Sequence, residues 1–112
     1  MMPKRQKDEF VQIMTAVEKS EDARRISDHL VRKKLAACVQ VICPMTSTYR
    51  WKGKVEVAIE HLLLIKTRKG LYKQVEIAIK ALHPYEVPEI IATPIIAGSK
   101  DYLEWIRKET EQ

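Results

Sequence analysis

The segment 83–91, HPYEVPEII, contains the residue types best suited to ligand chemistry in this sequence. Four of its side chains offer an imidazole, a phenol or a carboxylate: His83, Tyr85, Glu86 and Glu89. Pro84 and Pro88 restrict the backbone, so these side chains are held in set directions. A plain connector would need neither a histidine nor an aromatic residue, because glycine, asparagine or serine suffices to turn a chain. We therefore expect a rigid connector that also lines a cleft between two subunits.

Purely structural roles are open for the same residues. His83, which the cleft hypothesis requires to be partly accessible, can instead bond the last carbonyl groups of the preceding helix. Tyr85 can pack on the core with its hydroxyl at the surface. Catalysis is not indicated, because Ser47 has no histidine and aspartate near it in the sequence and Cys38 has no activating neighbour. The sequence therefore predicts a protein that is not an enzyme.

Two further polar residues interrupt the apolar stretch that precedes residue 67. Lys66 ends this stretch, where a lysine must reach water or an anionic partner. It is therefore a candidate for binding a small anion, and we place it in the ligand cleft with Tyr85 and Glu89. His61 lies on an otherwise apolar face of the same stretch, so we expect a buried or interface histidine there rather than a ligand.

Cys38 and Cys43 are the two cysteines. On one extended strand they point to opposite faces and lie roughly 16 Å apart, beyond the reach of a disulfide. They are typical of free thiols in a reducing compartment. Because residues 1–10 also lack the apolar core of a signal peptide, we expect a cytoplasmic protein.

Length and charge limit the possible classes of protein. The chain has 112 residues and a net charge of +5, and its charged residues make up 31% of the total. We expect a polar, frayed start over 1–8 and a single domain over 9–112. The basic residues are scattered or lie at helix ends, so no nucleic-acid partner is expected. No apolar run approaches the roughly 20 residues of a membrane span.

Hydrophobic periodicity and helix boundary signals predict four strands and three helices. The first half has a strand over 9–16, a helix over 20–35 with Ser20 as its N-cap, and a strand from 36 that Pro44 confines to an edge or a bulge. A turn follows at 50–53, with Gly53 in the left-handed position of a type I turn plus bulge. The second half has a strand from 54 to 67, a helix over 70–82 ended by Pro84, a strand over 88–96 that Pro94 confines to an edge or a bulge, and a final short helix capped by Ser99. The order β-α-β-β-α-β is typical of an α+β ferredoxin-like fold with an antiparallel sheet, here with an extra C-terminal helix.

The central hairpin is too long for a monomer of this size. Its arms, 37–50 and 54–67, would each be roughly 45 Å long, whereas a compact domain of this size is only about 35 Å across. The outer part nevertheless carries apolar and aromatic residues, which invite another chain. We therefore predict a subunit interface formed by Tyr49, Trp51, Val55 and Val57, with Trp51 anchoring the tip. The alternative is a hairpin that curls back on its own sheet.

Four segments together resemble the CutA divalent-cation tolerance family: LAACVQVICPMTSTYRWKGKVE, LLLIKT, HPYEVPEII and the final YLEWI. The resemblance covers about residues 10–107. It implies a ferredoxin-like fold, a homotrimer and a cytoplasmic protein that is linked to tolerance of copper and other divalent metals. It implies no known reaction.

The same resemblance implies that Cys38, Glu60 and His83 are metal ligands. A thiolate, a carboxylate and an imidazole suit a transition metal. The hairpin register, however, places Cys38 opposite Lys66 and about 20 Å from Glu60 along the strands. The three ligands can therefore converge only if one comes from a neighbouring subunit.

Two positions depart from the pattern of some family members. Met14 stands where they have a cysteine, and Leu82 stands where they have a second histidine. We therefore expect weak binding of copper or another divalent metal and no obligatory cofactor.

Two other functions are compatible with the predicted fold. One is a trimeric signalling module like the PII proteins, which would bind a small anion at subunit clefts; this rests on fold analogy. The other is RNA recognition, which needs an aromatic-rich basic strand. Because Phe10 is the only phenylalanine and EHLLLIKT is aliphatic, RNA recognition is the least favoured. A protein partner is possible but has no signature here.

Overall fold

The computed structural model describes residues 9–112, so the predicted frayed start over 1–8 lies outside the described residues. Its elements are, in chain order, β1 (Phe10–Val17), α1 (Ser20–Arg32), β2 (Cys38–Trp51), β3 (Lys54–Arg68), a 3-10 turn (Lys69–Leu71), α2 (Tyr72–Leu82), β4 (Ile91–Ile95) and α3 (Lys100–Glu109). The predicted α+β ferredoxin-like order with an extra C-terminal helix is confirmed. No helix within 9–112 is long and apolar enough to cross a membrane.

The sheet has the strand order β2-β3-β1-β4, and all its neighbours are antiparallel. Alternate residues of β1 and β3, such as Ile13 and Ile65, point to one face and are fully buried. That face packs on the apolar sides of α1 and α2 through Leu30 and Ile79. The core therefore lies between the sheet and these two helices.

Helix α1 begins and ends differently from the prediction. Lys19, not Ser20, is the N-cap residue, and no side chain caps the helix start. The helix ends at Arg32 rather than at 35, because Lys34 adopts a left-handed φ of 59°. The N–H of Leu35 then donates to the Leu30 carbonyl at 2.9 Å, which closes the last turn.

The other two helix boundary signals act as predicted. His83 is extended, with ψ at 134°, so α2 ends at the residue before it. Ser99 caps α3, and its hydroxyl oxygen accepts a hydrogen bond from the Tyr102 N–H at 3.3 Å. Both proline-containing strands, β2 and β4, lie at edges of the sheet, as expected because proline has no N–H to donate to a neighbouring strand.

The hairpin turn is tighter than predicted. Trp51 pairs with Lys54, which leaves a two-residue loop. Lys52 and Gly53 both have positive φ, 52° and 81°, so the turn is of type I′ rather than type I with a bulge. The bulge lies instead at 43–44, where two residues of β2 oppose one of β3.

The hairpin extends well beyond the rest of the sheet. Strand β1 pairs with β3 only as far as the Val17–His61 pair, so residues 54–60 have β2 on one side and no strand from residues 9–112 on the other. The described chain measures 55 × 25 × 23 Å along its principal axes. The expected overhang of the hairpin is therefore present.

Candidate functional site

His83 is buried at the start of the connector 83–90, with 8% of its surface exposed. Its Nε2–H donates to the Ala16 carbonyl at 2.9 Å, and its Nδ1 accepts the Tyr85 N–H at 3.2 Å. Burial lowers the pKa of the imidazole, although the Ala16 carbonyl and the Asp22 and Glu60 carboxylates act in the opposite direction. Both ring nitrogens are occupied, so the expectation of a partly accessible His83 is wrong for the single chain.

Tyr85 continues this chain of hydrogen bonds. Its ring packs edge-on against His83, with 4.6 Å between the centroids, and its hydroxyl donates to Glu60 Oε2 at 2.7 Å. Burial raises the pKa of Tyr85, and the Glu60 carboxylate adds to the effect. Side chains thus tie β1, the connector and β3 together at the point where β1 ends.

A pocket of about 600 Å³ opens beside this network. We call it the acidic pocket. It lies between the outer hairpin, the connector and the end of β1, and its walls are formed by Ala16, Glu18, Ser47, Thr48, Tyr49, Trp51, Glu60, Tyr85, Glu86, Val87 and Glu89. The predicted cleft residues Tyr85 and Glu89 therefore meet the predicted interface residues Tyr49 and Trp51. The chain's own hairpin bounds the pocket, where the sequence predicted a second subunit.

The register separates the four predicted interface residues onto two faces of the hairpin. Tyr49 pairs with Glu56, so it shares a face with Glu56 and not with Val55 or Val57. Val55 and Val57 are 63% and 65% exposed on the opposite face. Their role at an interface, like that of Trp51, stays a prediction.

Electrostatics give the acidic pocket its character. Four of its lining side chains are glutamates, and none is a lysine, arginine or histidine. Lys52 lies at the rim, where its Nζ is 4.0 Å from a Glu86 oxygen and 5.5 Å from the Trp51 ring centroid. Because the chain as a whole carries +5, this is a local reversal of charge that attracts cations and repels anions.

Sequence reasoning missed Glu18 as a member of the site. The register contains the signal: the β1–β3 pairing ends at Val17 and His61, so Glu18 leaves β1 at the end of the sheet where β3 continues with Glu60. Both line the pocket. A correctly aligned β1–β3 pair would have predicted that both carboxylates lie at this end of the shared sheet.

The three implied metal ligands do not come together in one chain. Cys38 pairs with Lys66, as predicted, which places it away from Glu60 along β3. Among the described residues, hydrogen bonds connect Glu60 and His83 through Tyr85 rather than directly. Within 9–112, no group of three His, Cys, Asp or Glu side chains could hold a metal ion. The metal site stays a prediction that requires a second chain.

Lys66 and His61 lie outside the acidic pocket. The Lys66 Nζ donates to Gln40 Oε1 at 2.7 Å, and Lys66 lies six positions along β3 from Glu60, the residue that Tyr85 contacts. His61 is half-buried, and its Nδ1 has no hydrogen-bond partner among the described residues. Anion binding by Lys66 stays a prediction.

A family profile matches this chain almost from end to end. The profile describes the CutA1 divalent ion tolerance protein and covers residues 11–109. The chain belongs to the CutA1 family. It is 45% identical over 98 residues to the divalent-cation tolerance protein CutA of Thermus thermophilus, with 88% of this chain and 95% of that protein covered.

Longer CutA1 relatives occur in plants and animals. Identity is 41% to the chloroplastic protein of Arabidopsis thaliana and 45% to the human protein, over 88% and 80% of this chain. The chain spans about half the length of these two relatives, 54% and 50%.

Solved CutA1 structures share the fold. The rice protein superimposes with a TM-score of 0.90 at 38% identity, covering 93% of this chain and 95% of its own. The Archaeoglobus fulgidus protein gives 0.88 at 39% identity, covering 91% and 99%.

The cytoplasmic location predicted from the free cysteines is contradicted. The Archaeoglobus fulgidus relative is described as periplasmic, and those of Arabidopsis and rice as chloroplastic. Members of this family are thus described in more than one compartment.

Proposed function

We propose that this CutA1 protein is a non-catalytic homotrimer that contributes to tolerance of divalent metal ions, copper among them, by binding them weakly. The observation that carries the proposal is the family match over residues 11–109. The names of the relatives supply the divalent cation and no reaction. The parts of the proposal that go beyond these names are copper as the metal, the trimer, and the absence of catalysis.

The trimer is supported by the outer hairpin. Val57 and Ile59 continue the face of β3 that carries Leu63 and Ile65, but they lie beyond the helices and are 65% and 54% exposed. The edge of 54–60 is also unpaired. An apolar face beside a free strand edge is the surface that an obligate interface would bury.

Weak metal binding is supported by the chemistry of the implied ligands. Cys38 is a free, half-buried thiol, and Glu60 is a buried carboxylate without a cationic partner in the described chain. The trimer could bring a neighbour's Cys38 towards Glu60. Because Met14 and Leu82 replace a thiol and an imidazole of some relatives, we expect micromolar or weaker affinity for Cu(II) and Zn(II).

Native mass spectrometry of protein purified without chelator tests both parts. We expect a species about three times the 13.0 kDa chain mass, with substoichiometric metal. Titration with Cu(II) should then saturate in the wild type and in Cys43→Ala, but not in Cys38→Ala. A stable monomer would refute the trimer, and equal binding by the two cysteine variants would remove Cys38 from the site.

The acidic pocket counts against the alternative of a small anionic ligand. Its four carboxylates repel anions, and Lys66 lies elsewhere. A PII-like function would need another cleft.

A further inference from the structure

We propose that the acidic pocket binds an aliphatic amine that carries two or more ammonium groups. The site is separate from metal binding in its ligand and in most of its residues. Three properties of the pocket lead to this ligand: a buried carboxyl group that forms no salt bridge within the described residues, aromatic walls, and carboxyl groups that are spread apart.

The first property concerns Glu60, which is only 7% exposed. One of its oxygens accepts a hydrogen bond from Tyr85, but a phenol that stays protonated brings no positive charge. No lysine, arginine or histidine of the described residues forms a salt bridge with it, although the His83 ring lies near enough for an electrostatic interaction. A buried carboxylate is costly without a cationic partner. The pocket that Glu60 lines is where such a partner can enter.

The second property is the set of aromatic rings that the pocket presents: Tyr49, Trp51 and Tyr85. Ammonium groups are attracted to the faces of such rings when they lie within about 6 Å of the centroid. The Lys52 ammonium already lies 5.5 Å from the Trp51 centroid at the rim. The aromatic wall therefore suits a cation with an organic body better than it suits an anion.

The third property separates an organic cation from a metal ion. A metal needs several donor atoms at about 2.0–2.6 Å from one point. No three acidic, cysteine or histidine side chains of the described residues are so arranged. The glutamates lie instead on different walls: Glu18 after β1, Glu60 on β3, and Glu86 and Glu89 on the connector.

Size agrees with an extended ligand. The volume of about 600 Å³ lies in the usual range for small-molecule pockets, about 300–1,000 Å³. Several separated ammonium groups can each meet a different carboxylate, while the methylene spacers pack on Tyr49, Trp51 and Val87. The hydroxyls of Ser47 and Thr48 offer further acceptors.

Calorimetric titration of the assembled protein with spermidine, in the presence of EDTA, tests the inference. We expect saturable binding that weakens at least tenfold when sodium chloride rises from 50 to 500 mM, because the attraction is screened. 1,4-Diaminobutane should bind more weakly than spermidine. The neutral isostere 1,4-butanediol should not bind, and neither should inorganic phosphate.

Charge-removing variants locate the binding. Glu60→Gln keeps the acceptor for Tyr85 and removes the charge, and it should weaken spermidine binding at least tenfold. Glu18→Gln and Glu89→Gln, both at exposed positions, should weaken it severalfold and serve if Glu60→Gln fails to fold. Glu109→Gln, an exposed glutamate on α3 outside the pocket, removes the same charge and should leave the affinity unchanged.

Two results would overturn the inference. One is the absence of spermidine binding up to millimolar concentration, and the other is an equal loss of affinity in Glu109→Gln and in the pocket variants. The metal proposal is read separately, from Cu(II) titration without EDTA, so that either proposal can fail while the other stands.

Discussion

The inner and outer halves of β3 have similar apolar residues on the same face but opposite surroundings. Ile65 is fully buried beneath the helices, whereas Ile59 is 54% exposed. The two differ by six positions along a regular strand, so their side chains point the same way. Their surroundings differ because α1, α2 and β1 are shorter than the hairpin and do not reach its outer half. Hydrophobic pattern alone therefore identifies a face that must be covered, but not what covers it.

The largest effect is expected from truncation in the inner half. Ile65→Ala should lower the free energy of unfolding by about 2–5 kcal/mol, because it leaves a cavity under the helices. This loss should not depend on protein concentration, as measured by urea unfolding at several concentrations. Ile59→Ala is the matched control, with an effect that grows as the protein is diluted and subunits dissociate. Equal, concentration-independent losses would mean that the two halves do not differ.

The next effect concerns the hairpin tip. Trp51→Ala should weaken assembly by about 2 kcal/mol if the ring is an interface anchor. Sedimentation equilibrium measures the change, and Trp105→Ala on α3 is a control, since that ring is similarly exposed at 41%. Unchanged assembly would assign Trp51 to the acidic pocket alone.

A smaller effect is expected at the junction between the halves. Tyr85→Phe removes the hydrogen bond to Glu60 and should cost about 1–2 kcal/mol of stability, because the buried carboxylate loses its donor. Combining Tyr85→Phe with Glu60→Ala, which removes the acceptor, in a double-mutant cycle isolates the pair. Additive losses would show that the bond contributes nothing to stability.

The smallest effect is a pH dependence that arises from His83. Its folded-state pKa lies below the ordinary value of 6.5. The unfolded chain therefore binds the proton first as pH falls, so this contribution to stability is complete above about pH 6.5 and is lost below it, towards the lower folded pKa. Tyr85 and the carboxylates of Asp22 and Glu60 surround the ring and stay in place in His83→Gln. That variant should show a shallower fall in Tm between pH 6.5 and 5; an identical slope would contradict the assignment.

The fold could be predicted because its signals are local. Pro84 ends α2, Ser99 caps α3, and apolar alternation locates β3. The pairing of Cys38 with Lys66 was predicted, as was the left-handed Gly53, although the type of turn was not. A two-residue turn alone would place Cys38 opposite Thr67, and the bulge at 43–44 shifts the pairing by one residue. The errors in the turn and in the bulge cancel at Cys38. Either error alone would change the register, while the order of the elements would be unaffected.

The site was predicted only in part because its contacts are not local. Tyr85 and Glu89 were assigned to a cleft between subunits; both line the acidic pocket within one chain, and a second subunit beside them stays a prediction. The burial of His83 depends on the Ala16 carbonyl, 67 positions away in sequence, which no motif indicates. Trp51 lines the same pocket as the connector because of the direction in which the hairpin extends from the sheet. The hydrophobic pattern of the sequence does not encode that direction.

The hydrogen bonds from Ala16 through His83 and Tyr85 to Glu60 stabilise one wall of the acidic pocket more than the other. One wall is fastened by buried side chains to the two central strands. The Tyr85 amide proton, which donates to His83 Nδ1, should exchange with solvent more slowly than the amide protons of the exposed residues Glu86 and Val87. The other wall is a two-stranded ribbon without helices behind it, which opens at lower cost. A bound ligand would therefore change mainly the conformation of the ribbon, and that change would also affect the contacts of any chain that covers the ribbon.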